Sequence, residues 1–266
     1  MQRRTFIYQS ALAGAGALYL AGAACQSGEQ AGRLTGRKVL FVYGGWELHQ
    51  PEACRDLYVP WMQAEGAEVV VADQLDVYAD QQLMEGIDLI VQTWTMGTIG
   101  DQAVRGLIDA VARGAGIAGW HGGLADAFRD RPGYQFMIGG QWVAHPGGYV
   151  PYTVQIIDPE DPVTAGINDF SLNTEQYYMH VDPNNKVLAT TRFNGDHASW
   201  IDGCTMPVVW KRMHGAGRVF FSAIGHKMED HTVAEAMTIM QRGIIWASQS
   251  KDAGPDRWKQ PVYPAS

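Results

Sequence analysis

The sequence predicts an α/β domain built on a mostly parallel β-sheet with helices on both faces, and three observations support this. Short apolar runs alternate with segments of helical periodicity through the first half of the chain. The 266 residues are 46% hydrophobic and 18% charged, which is enough apolar material for a sizeable core and excludes a disordered chain. The formal net charge is −8 with no basic block, which argues against a nucleic-acid partner.

The N-terminal segment predicts export. Arg3 and Arg4 precede Phe6 and an apolar run over residues 11–24, which is typical of a twin-arginine signal peptide over residues 1–24. The run is too short and too rich in Gly and Ala for a membrane span. A Sec-type signal with a chance pair of arginines is the alternative, and both signals export the protein.

Processing of this leader leaves two alternatives open. Residues 22–25, Gly-Ala-Ala-Cys, resemble a lipoprotein box that would place a lipid on Cys25, although Gly22 stands where Leu is usual. Ordinary signal-peptidase cleavage also fits. We therefore expect a periplasmic protein or a membrane-anchored lipoprotein, with residues 25–36 as a polar tether and the lipid as the only membrane contact.

The first half of the domain reads as repeated strand–helix units. Apolar runs predict buried strands, and amphipathic spacing bounded by Gly predicts helices. The predicted order is strand 37–43, helix 51–65, strand 68–72, short helix 80–85, strand 88–92, helix 101–113 and strand 116–120. Such alternation favours a parallel sheet with right-handed crossovers.

The second half of the domain has a different pattern. Strands are predicted over residues 152–157, 207–212 and 218–224, the last two joined as a hairpin at residues 215–217. An amphipathic helix over residues 232–248 closes the domain, which we place at residues 37–250. Residues 251–266 form a Pro-containing C-terminal tail.

Several histidines follow the predicted parallel strands. His49, His121 and His226 come after the first, fourth and last strands, and His145 lies in a Gly-rich loop. Because ligands bind beyond the carboxyl ends of parallel strands, we expect these four side chains at one mouth. Imidazole serves as acid, base or metal ligand near neutral pH.

The metal question stays open at this stage. Glu47, Glu175 and Glu229 could orient the histidines or act with them. No His-Glu-x-x-His is present, so no cofactor is certain. If a divalent metal such as Zn is bound, His121, His145 and His226 are its candidate ligands. Pairing of Cys54 with Cys204 is likewise open, since sequence cannot give their separation.

Several motifs, in order and spacing, resemble the trehalose-utilisation (ThuA-like) family. They are residues 39–45 (VLFVYGG), 119–123 (GWHGG), 139–146 (GGQWVAHP), 158–166 (DPEDPVTAG), 174–177 (TEQY) and 207–226. The resemblance spans about residues 37–248. Gln141-Trp142 replaces a more usual aromatic stretch, a departure that bears on the ligand rather than on the fold.

The resemblance implies a flavodoxin-like fold related to class I glutamine amidotransferases. Those enzymes carry a nucleophilic Cys at a sharp strand-to-helix turn, where this sequence has Trp120 and His121. Without a thiolate, glutamine amidotransferase chemistry is excluded. The family's link is to sugar catabolism, including disaccharides and their keto forms, which implies a small carbohydrate ligand.

The resemblance also implies the site residues. We predict His121, His145, His226 and Glu175 as catalytic. The predicted substrate-binding residues are Glu47, His49, Trp94, Trp120 and Tyr177. Three functions remain open: isomerisation or elimination on a keto-sugar by His/Glu acid–base chemistry, hydrolysis by metal-activated water, and non-catalytic carbohydrate binding in the cell envelope.

Overall fold

The computed structural model describes residues 32–252. Within this range the chain forms eleven strands and six α-helices. The strands are β1 Lys38–Gly45, β2 Glu68–Ala72, β3 Leu89–Thr95, β4 Gly116–Trp120, β5 Gly140–Ala144, β6 Tyr149–Ile156, β7 Phe170–Glu175, β8 Tyr178–Val181, β9 Lys186–Arg192, β10 Thr205–His214 and β11 Gly217–Ser222. The helices are α1 Pro51–Ala64, α2 Gln81–Gly86, α3 Asp101–Ala112, α4 His121–Ala125, α5 Pro132–Ile138 and α6 Ala234–Ser248.

The main sheet has nine strands in the order β2-β1-β3-β4-β11-β10-β9-β6-β7. Its first five strands are parallel neighbours, with β11 beside β4 in the fifth place. This is the strand order of the flavodoxin-like α/β folds, and it confirms the predicted fold class. The strands are apolar on both faces because helices cover them.

The other part of the sheet is antiparallel, from β11 through β10, β9 and β6 to β7. The predicted hairpin at residues 215–217 is present, since β10 and β11 pair up to His214 and Gly217. Strands β5, β7, β8 and β9 were not predicted. Of these, β5 and β8 form a separate two-stranded ribbon. These strands are short or carry Thr, Asn and Lys, so their apolar signal is weak.

Helices α5 and α6 lie on opposite faces of β11. Phe220 meets α6 so closely that a Cβ at Gly243 would lie 2.2 Å from its ring, and only glycine fits there. Phe221, the next residue, packs on Trp210, whose indole N–H donates to Ile138 of α5. Because successive residues of a strand face opposite ways, the two helices sandwich the sheet.

None of the helices in residues 32–252 is long and apolar enough to cross a membrane. The predicted signal peptide, the candidate lipid site at Cys25 and the tail beyond residue 252 lie outside the described residues. Cys54 is a buried free thiol on α1, and Cys204 is a half-buried free thiol before β10. The two cysteines are therefore not joined.

Candidate functional site

The site lies at the carboxyl ends of the central strands. A short 3-10 helix after β1 carries His49, α4 begins at His121 directly after β4, and His226 follows β11. Glu175 is the last residue of β7. The first three meet because parallel strands end at one edge of the sheet, as the sequence predicts.

Glu175 comes from an edge strand of the sheet, not from the end of a central parallel strand. Strand β7 stands five places from β4 in the sheet, which would be about 24 Å in a flat sheet. Yet Glu175 Oε2 lies 3.1 Å from His121 Nε2. The hairpin of β6 and β7 pairs with β9 only at Gln155 and Ile156, and its other end therefore swings back over the strand ends.

The four side chains converge on a small volume. One ligand-type atom from each of His49, His121, Glu175 and His226 lies within 4.8 Å of the other three, and all four residues are buried. His226 Nδ1 is 3.2 Å from Glu175 Oε2 and 3.3 Å from His121 Nε2. No other group of three or more such ligand-type residues occurs within residues 32–252.

Each of the three imidazoles is anchored by its outer nitrogen. His121 Nδ1 donates to the carbonyl oxygen of Ala223 at 2.8 Å, and His49 Nδ1 is 2.7 Å from Thr95 Oγ1. His226 Nε2 is 2.6 Å from the hydroxyl of Tyr149. A partner on one ring nitrogen fixes the orientation of the other, which is the arrangement that metal-ligating histidines use.

The side-chain atoms that face the centre of the cluster include more hydrogen-bond acceptors than donors. Since His121 Nδ1 carries the proton given to Ala223, the Nε2 of the neutral ring is a lone pair facing the Glu175 carboxylate. His49 Nε2 is buried with no hydrogen-bond partner in the described chain. A proton on His121 or a cation among these atoms would relieve this crowding.

Electrostatics favour neutral forms of His49 and His121 beside a charged Glu175 carboxylate. Burial, followed by the neighbouring His121 and His226, lowers the pKa of His49 to about 3. Burial also lowers the pKa of His121, although Glu175 opposes it. For Glu175 burial acts to raise the pKa, but interactions with the neighbouring His121 and His226 outweigh it, so the pKa lies well below its usual value.

His121 occupies a strained turn between strand and helix. Its φ is +47°, in the left-handed region that non-glycine residues rarely adopt. The following Gly122 is required by close approach, because a Cβ there would lie 2.6 Å from Cε1 of His49. The elbow that the family resemblance predicts is thus present, and it holds an imidazole.

His145 lies at the outer side of the cluster. Its Nε2 is 3.6 Å from Glu175 Oε1, its side chain is 35% exposed, and its Nδ1 has no partner among residues 32–252. The ring packs at a tilt beside Trp142, with 5.7 Å between centroids. His145 therefore stands next to the four-residue cluster without joining it, at a place that solvent and ligand can reach.

The other predicted site residues have distinct places. Tyr177 is buried and stacks on His121 with 4.0 Å between ring centroids. Trp120 packs against Tyr58 and is 1% exposed, and its role in substrate binding stays a prediction. Trp94 is half-buried against the Gly97 turn, and Glu47 is exposed in the 3-10 helix before His49.

Sequence reasoning missed three polar supports of the site: Thr95, Tyr149 and Asp230. For Thr95 and Tyr149, the only feature of the sequence that could have identified them is their position, because Thr95 ends β3 and Tyr149 begins β6. Glu229, which the sequence suggested as a partner of the histidines, is exposed. His231, two residues further along the chain, points elsewhere, with its Nδ1 2.8 Å from the Tyr58 hydroxyl.

The buried thiol of Cys54 does not supply a nucleophile. It lies 3.9 Å from His231 Nε2, and burial raises its pKa to about 12. The thiolate that amidotransferase chemistry requires is therefore not formed at neutral pH.

Comparison of the sequence with protein families gives one match. The model of the family described as trehalose utilisation, ThuA, matches residues 38–247, which includes every member of the histidine–glutamate cluster. A search of curated protein sequences gives no match.

Solved structures share the fold at low sequence identity. A ThuA-like protein from Bacteroides uniformis superposes with a TM-score of 0.71 at 17% identity, covering 85% of this chain and 96% of that one. A ThuA-like protein from Parabacteroides merdae gives 0.64 at 16%, covering 85% and 97%. A cytoplasmic protein from Salmonella typhimurium gives 0.56 at 12%, covering 82% and 99%.

Proposed function

This chain belongs to the ThuA (trehalose utilisation) family, and we propose that it is an exported enzyme that acts on a sugar or keto-sugar derivative with a divalent metal held by His49, His121, Glu175 and His226. His145 is the proposed acid–base residue beside that metal. The proposal differs from the sequence-based candidate ligands in two ways: His49 replaces His145, and Glu175, predicted as catalytic, becomes a ligand.

The convergence of acceptor atoms carries the metal proposal. A lone pair on His121 Nε2 faces the carboxylate of Glu175 at 3.1 Å, and the inner nitrogen of His49 is buried without a partner. All three imidazoles have their outer nitrogens engaged. A cation at their centre satisfies each of these atoms at once, whereas a proton shared between His121 and Glu175 leaves His49 unsatisfied.

The donor set suits a divalent transition metal such as Zn. Three imidazole nitrogens and one carboxylate oxygen are borderline ligands, and Ca²⁺ and Mg²⁺ prefer oxygen only. Such a metal would act as a Lewis acid on a substrate carbonyl or hydroxyl oxygen. The anchored rings of His49, His121 and His226 supply the fixed orientation that this role needs.

The chain's own acid–base group is His145. In a keto-sugar the C–H bond beside the carbonyl is acidified, and a neutral imidazole can accept that proton and return it at another atom. Isomerisation, or elimination of the glycosidic partner, would follow from that transfer. The half-exposed position of His145, 3.6 Å from Glu175, supports this role because a substrate can approach it.

Carbohydrate as the substrate class has two supports. The family description names trehalose utilisation. Aromatic side chains also surround the cluster: Trp46 packs edge-on against His49, and Tyr149 packs against His226 while remaining 55% exposed. Aromatic faces cover the apolar C–H surface of sugar rings.

Metal analysis of the purified protein tests the proposal. We expect about one divalent metal per chain in the wild type, and its loss in His121→Ala and His226→Ala. His180→Ala is the matched control, because His180 is an exposed residue of β8 outside the cluster. If the wild type turns over keto-glycosides without bound metal, the metal part of the proposal is wrong and the acid–base part remains.

Export rests on the leader sequence. Arg3, Arg4 and the apolar run before Cys25 support a twin-arginine signal and, if Cys25 is lipidated, a membrane anchor. Fractionation of cells expressing the wild type and Cys25→Ala tests this. A protein that stays in the cytoplasm with an intact leader would contradict export.

A further inference from the structure

Two helical elements place sulfur and imidazole side chains against each other behind the elbow. Cys54 and Tyr58 are four residues apart in α1 and are each 1% exposed, so they lie on the same buried face of that helix. Met228 and His231 are three residues apart in the 3-10 helix Met228–Thr232. Side chains with that spacing eclipse each other in a 3-10 helix, so Met228 and His231 share one face of it.

The sulfur of Cys54 contacts both of these residues. Its Sγ lies 4.0 Å from Met228 Sδ and 3.9 Å from His231 Nε2. In a trigonal site, metal–ligand distances of about 2.3 Å for sulfur and about 2.0 Å for nitrogen separate two sulfurs by about 4.0 Å, and sulfur from nitrogen by about 3.7 Å. The two measured separations are close to those of a three-coordinate metal site.

The imidazole of His231 is held in the orientation that a metal ligand needs. Its Nδ1 is 2.8 Å from the hydroxyl of Tyr58, and His231 is buried. A partner on one ring nitrogen fixes the direction of the other, and here the other nitrogen faces Cys54. Gly225 leaves room for the ring, because a Cβ there would lie 3.1 Å from His231 Nε2. Cys54 and Tyr58, one helical turn apart, therefore contact the two nitrogens of one ring.

Met228 is fixed in place and lies nearer to solvent than the other two residues. Its backbone N–H donates to Gln50 Oε1 at 3.0 Å, and Gln50 directly precedes α1, so this bond ties the 3-10 helix to the start of α1. Met228 is half-buried, whereas Cys54 and His231 are buried. An incoming ion can therefore meet the thioether first and pass to the thiol and the imidazole behind it.

The donor types and the charge balance favour Cu(I). Thiolate and thioether are soft ligands, and soft ligands select Cu(I). Coordination deprotonates a thiol, so the ion would displace the proton of Cys54 to solvent. One thiolate then neutralises one Cu⁺, whereas Zn²⁺ would leave a net positive charge in a buried place, which is costly. No carboxylate joins Cys54 and His231 in a ligand group within residues 32–252, and the neighbouring Asp230 directs its Oδ2 to the N–H of His226.

We propose that Cys54, Met228 and His231 form a Cu(I) site that shares no residue with the histidine–glutamate cluster. The thioether is what completes it, because cysteine, histidine and carboxylate residues alone do not form a second group of three among residues 32–252. Tyr58 is the positioning residue that orients His231. The inference stands apart from the proposed function, since it requires neither a sugar substrate nor a metal at the histidine–glutamate cluster.

Titration of the full exported protein with Cu(I), in competition with the chelator bicinchoninate, tests the site. We expect one Cu(I) per chain to resist the chelator, with two sulfur neighbours and one nitrogen neighbour by X-ray absorption. Cys54→Ala and Met228→Leu should each lower Cu(I) affinity by more than about tenfold, the smallest loss usual when only an outer partner of a ligand is removed. Met228→Leu conserves side-chain volume, so it tests the site even if Cys54→Ala does not fold.

Cys204→Ala is the matched control, because Cys204 is the other free thiol within residues 32–252 and lies before β10, away from α1. Its Cu(I) affinity should equal that of the wild type, and so should the affinity of Glu175→Gln, which alters the histidine–glutamate cluster. Complete removal of copper by the chelator, equal affinity in Met228→Leu and the wild type, or weaker binding in Cys204→Ala would each overturn the inference. If Glu175→Gln loses the copper while Cys54→Ala keeps it, the ion occupies the cluster instead and the inference is wrong.

Discussion

The carboxylate of Asp230 accepts a hydrogen bond from the backbone N–H of His226, with 2.9 Å between Oδ2 and the nitrogen. The same oxygen accepts the hydroxyl of Thr174 at 2.8 Å. Thr174 directly precedes Glu175, so one buried oxygen ties together the two chain segments that bring His226 and Glu175 to the cluster. Asp230 is therefore a positioning residue.

Replacing Asp230 should weaken the cluster without touching a ligand atom. We expect Asp230→Ala to lower metal affinity about tenfold or more, since losing an outer partner of a ligand has that effect. Asp230→Asn should lower metal affinity less than Asp230→Ala does, because the amide oxygen of Asn can still accept both hydrogen bonds. Chelator competition measures the affinity. Equal losses of thermal stability with unchanged metal affinity in both variants would reduce Asp230 to a structural role.

Glu175 should be indispensable for the metal. Glu175→Gln removes the charge that faces His121 Nε2 and His226 Nδ1. Losing a residue that only hydrogen-bonds to a metal ligand lowers metal affinity by about tenfold or more. Because Glu175 is itself a proposed ligand, we expect a larger loss of affinity in Glu175→Gln. Glu229→Gln is the control, because Glu229 is an exposed carboxylate in the nearby 3-10 helix Met228–Thr232. Full metal occupancy in Glu175→Gln would rule out Glu175 as a ligand.

His145 should separate turnover from metal binding. His145 is not among the four residues whose ligand atoms converge, and its Nε2 lies 3.6 Å from Glu175 Oε1, so His145→Ala should keep the metal. Turnover should fall about 10²- to 10⁴-fold, the usual contribution of a general base. His180→Ala serves again as control. Loss of metal in His145→Ala would place His145 among the ligands instead.

The glycine after the elbow should be sensitive to a single methyl group. Gly122→Ala places a Cβ 2.6 Å from Cε1 of His49, so His49 must move. We expect about 1–3 kcal/mol of destabilisation and weaker metal binding. Gly100→Ala is the control, because a Cβ there meets no atom within 4 Å. Unfolding curves and chelator titrations measure both effects, and similar behaviour of the two variants would contradict the steric argument.

Away from the site, Asp161 should make stability depend on pH. Its Oδ2 lies 2.7 Å from Lys186 Nζ and 2.6 Å from Lys211 Nζ, and it is 3% exposed. Burial acts to raise its pKa, but hydrogen bonds with the two lysines outweigh this, so the pKa is lowered. A lowered pKa in the folded state stabilises the protein above the unfolded value of about 3.9, and this stabilisation is lost as pH falls through the folded value.

Asp161→Asn should therefore be destabilised by about 3 kcal/mol at neutral pH, because two lysines lose their shared counterion. The difference from the wild type should shrink as the pH falls below about 4. Urea unfolding at several pH values measures it. A difference that stays constant with pH would contradict the ion-pair explanation.

The sequence by itself determined the α/β class and the meeting of three histidines. Apolar runs alternating with helices specify parallel strands, and the ends of parallel strands coincide. His49, His121 and His226 were therefore predictable neighbours. The elbow at His121 could also be predicted, through the motif that it shares with a family.

The family motif at residues 174–177 implied Glu175 as a site residue, but only the tertiary structure decided how Glu175 reaches the histidines and where His145 lies. Strand β7 stands at the far edge of the sheet, and nothing local in its sequence indicates that the β6–β7 hairpin folds back over the strand ends. That bend depends on where β6 stops pairing with β9, a contact between segments more than 30 residues apart. The free end of the hairpin, where Tyr149 pairs with Glu175, reaches His121 because residues 149–154 of β6 have no ladder pairing with β9 that would hold them in the sheet.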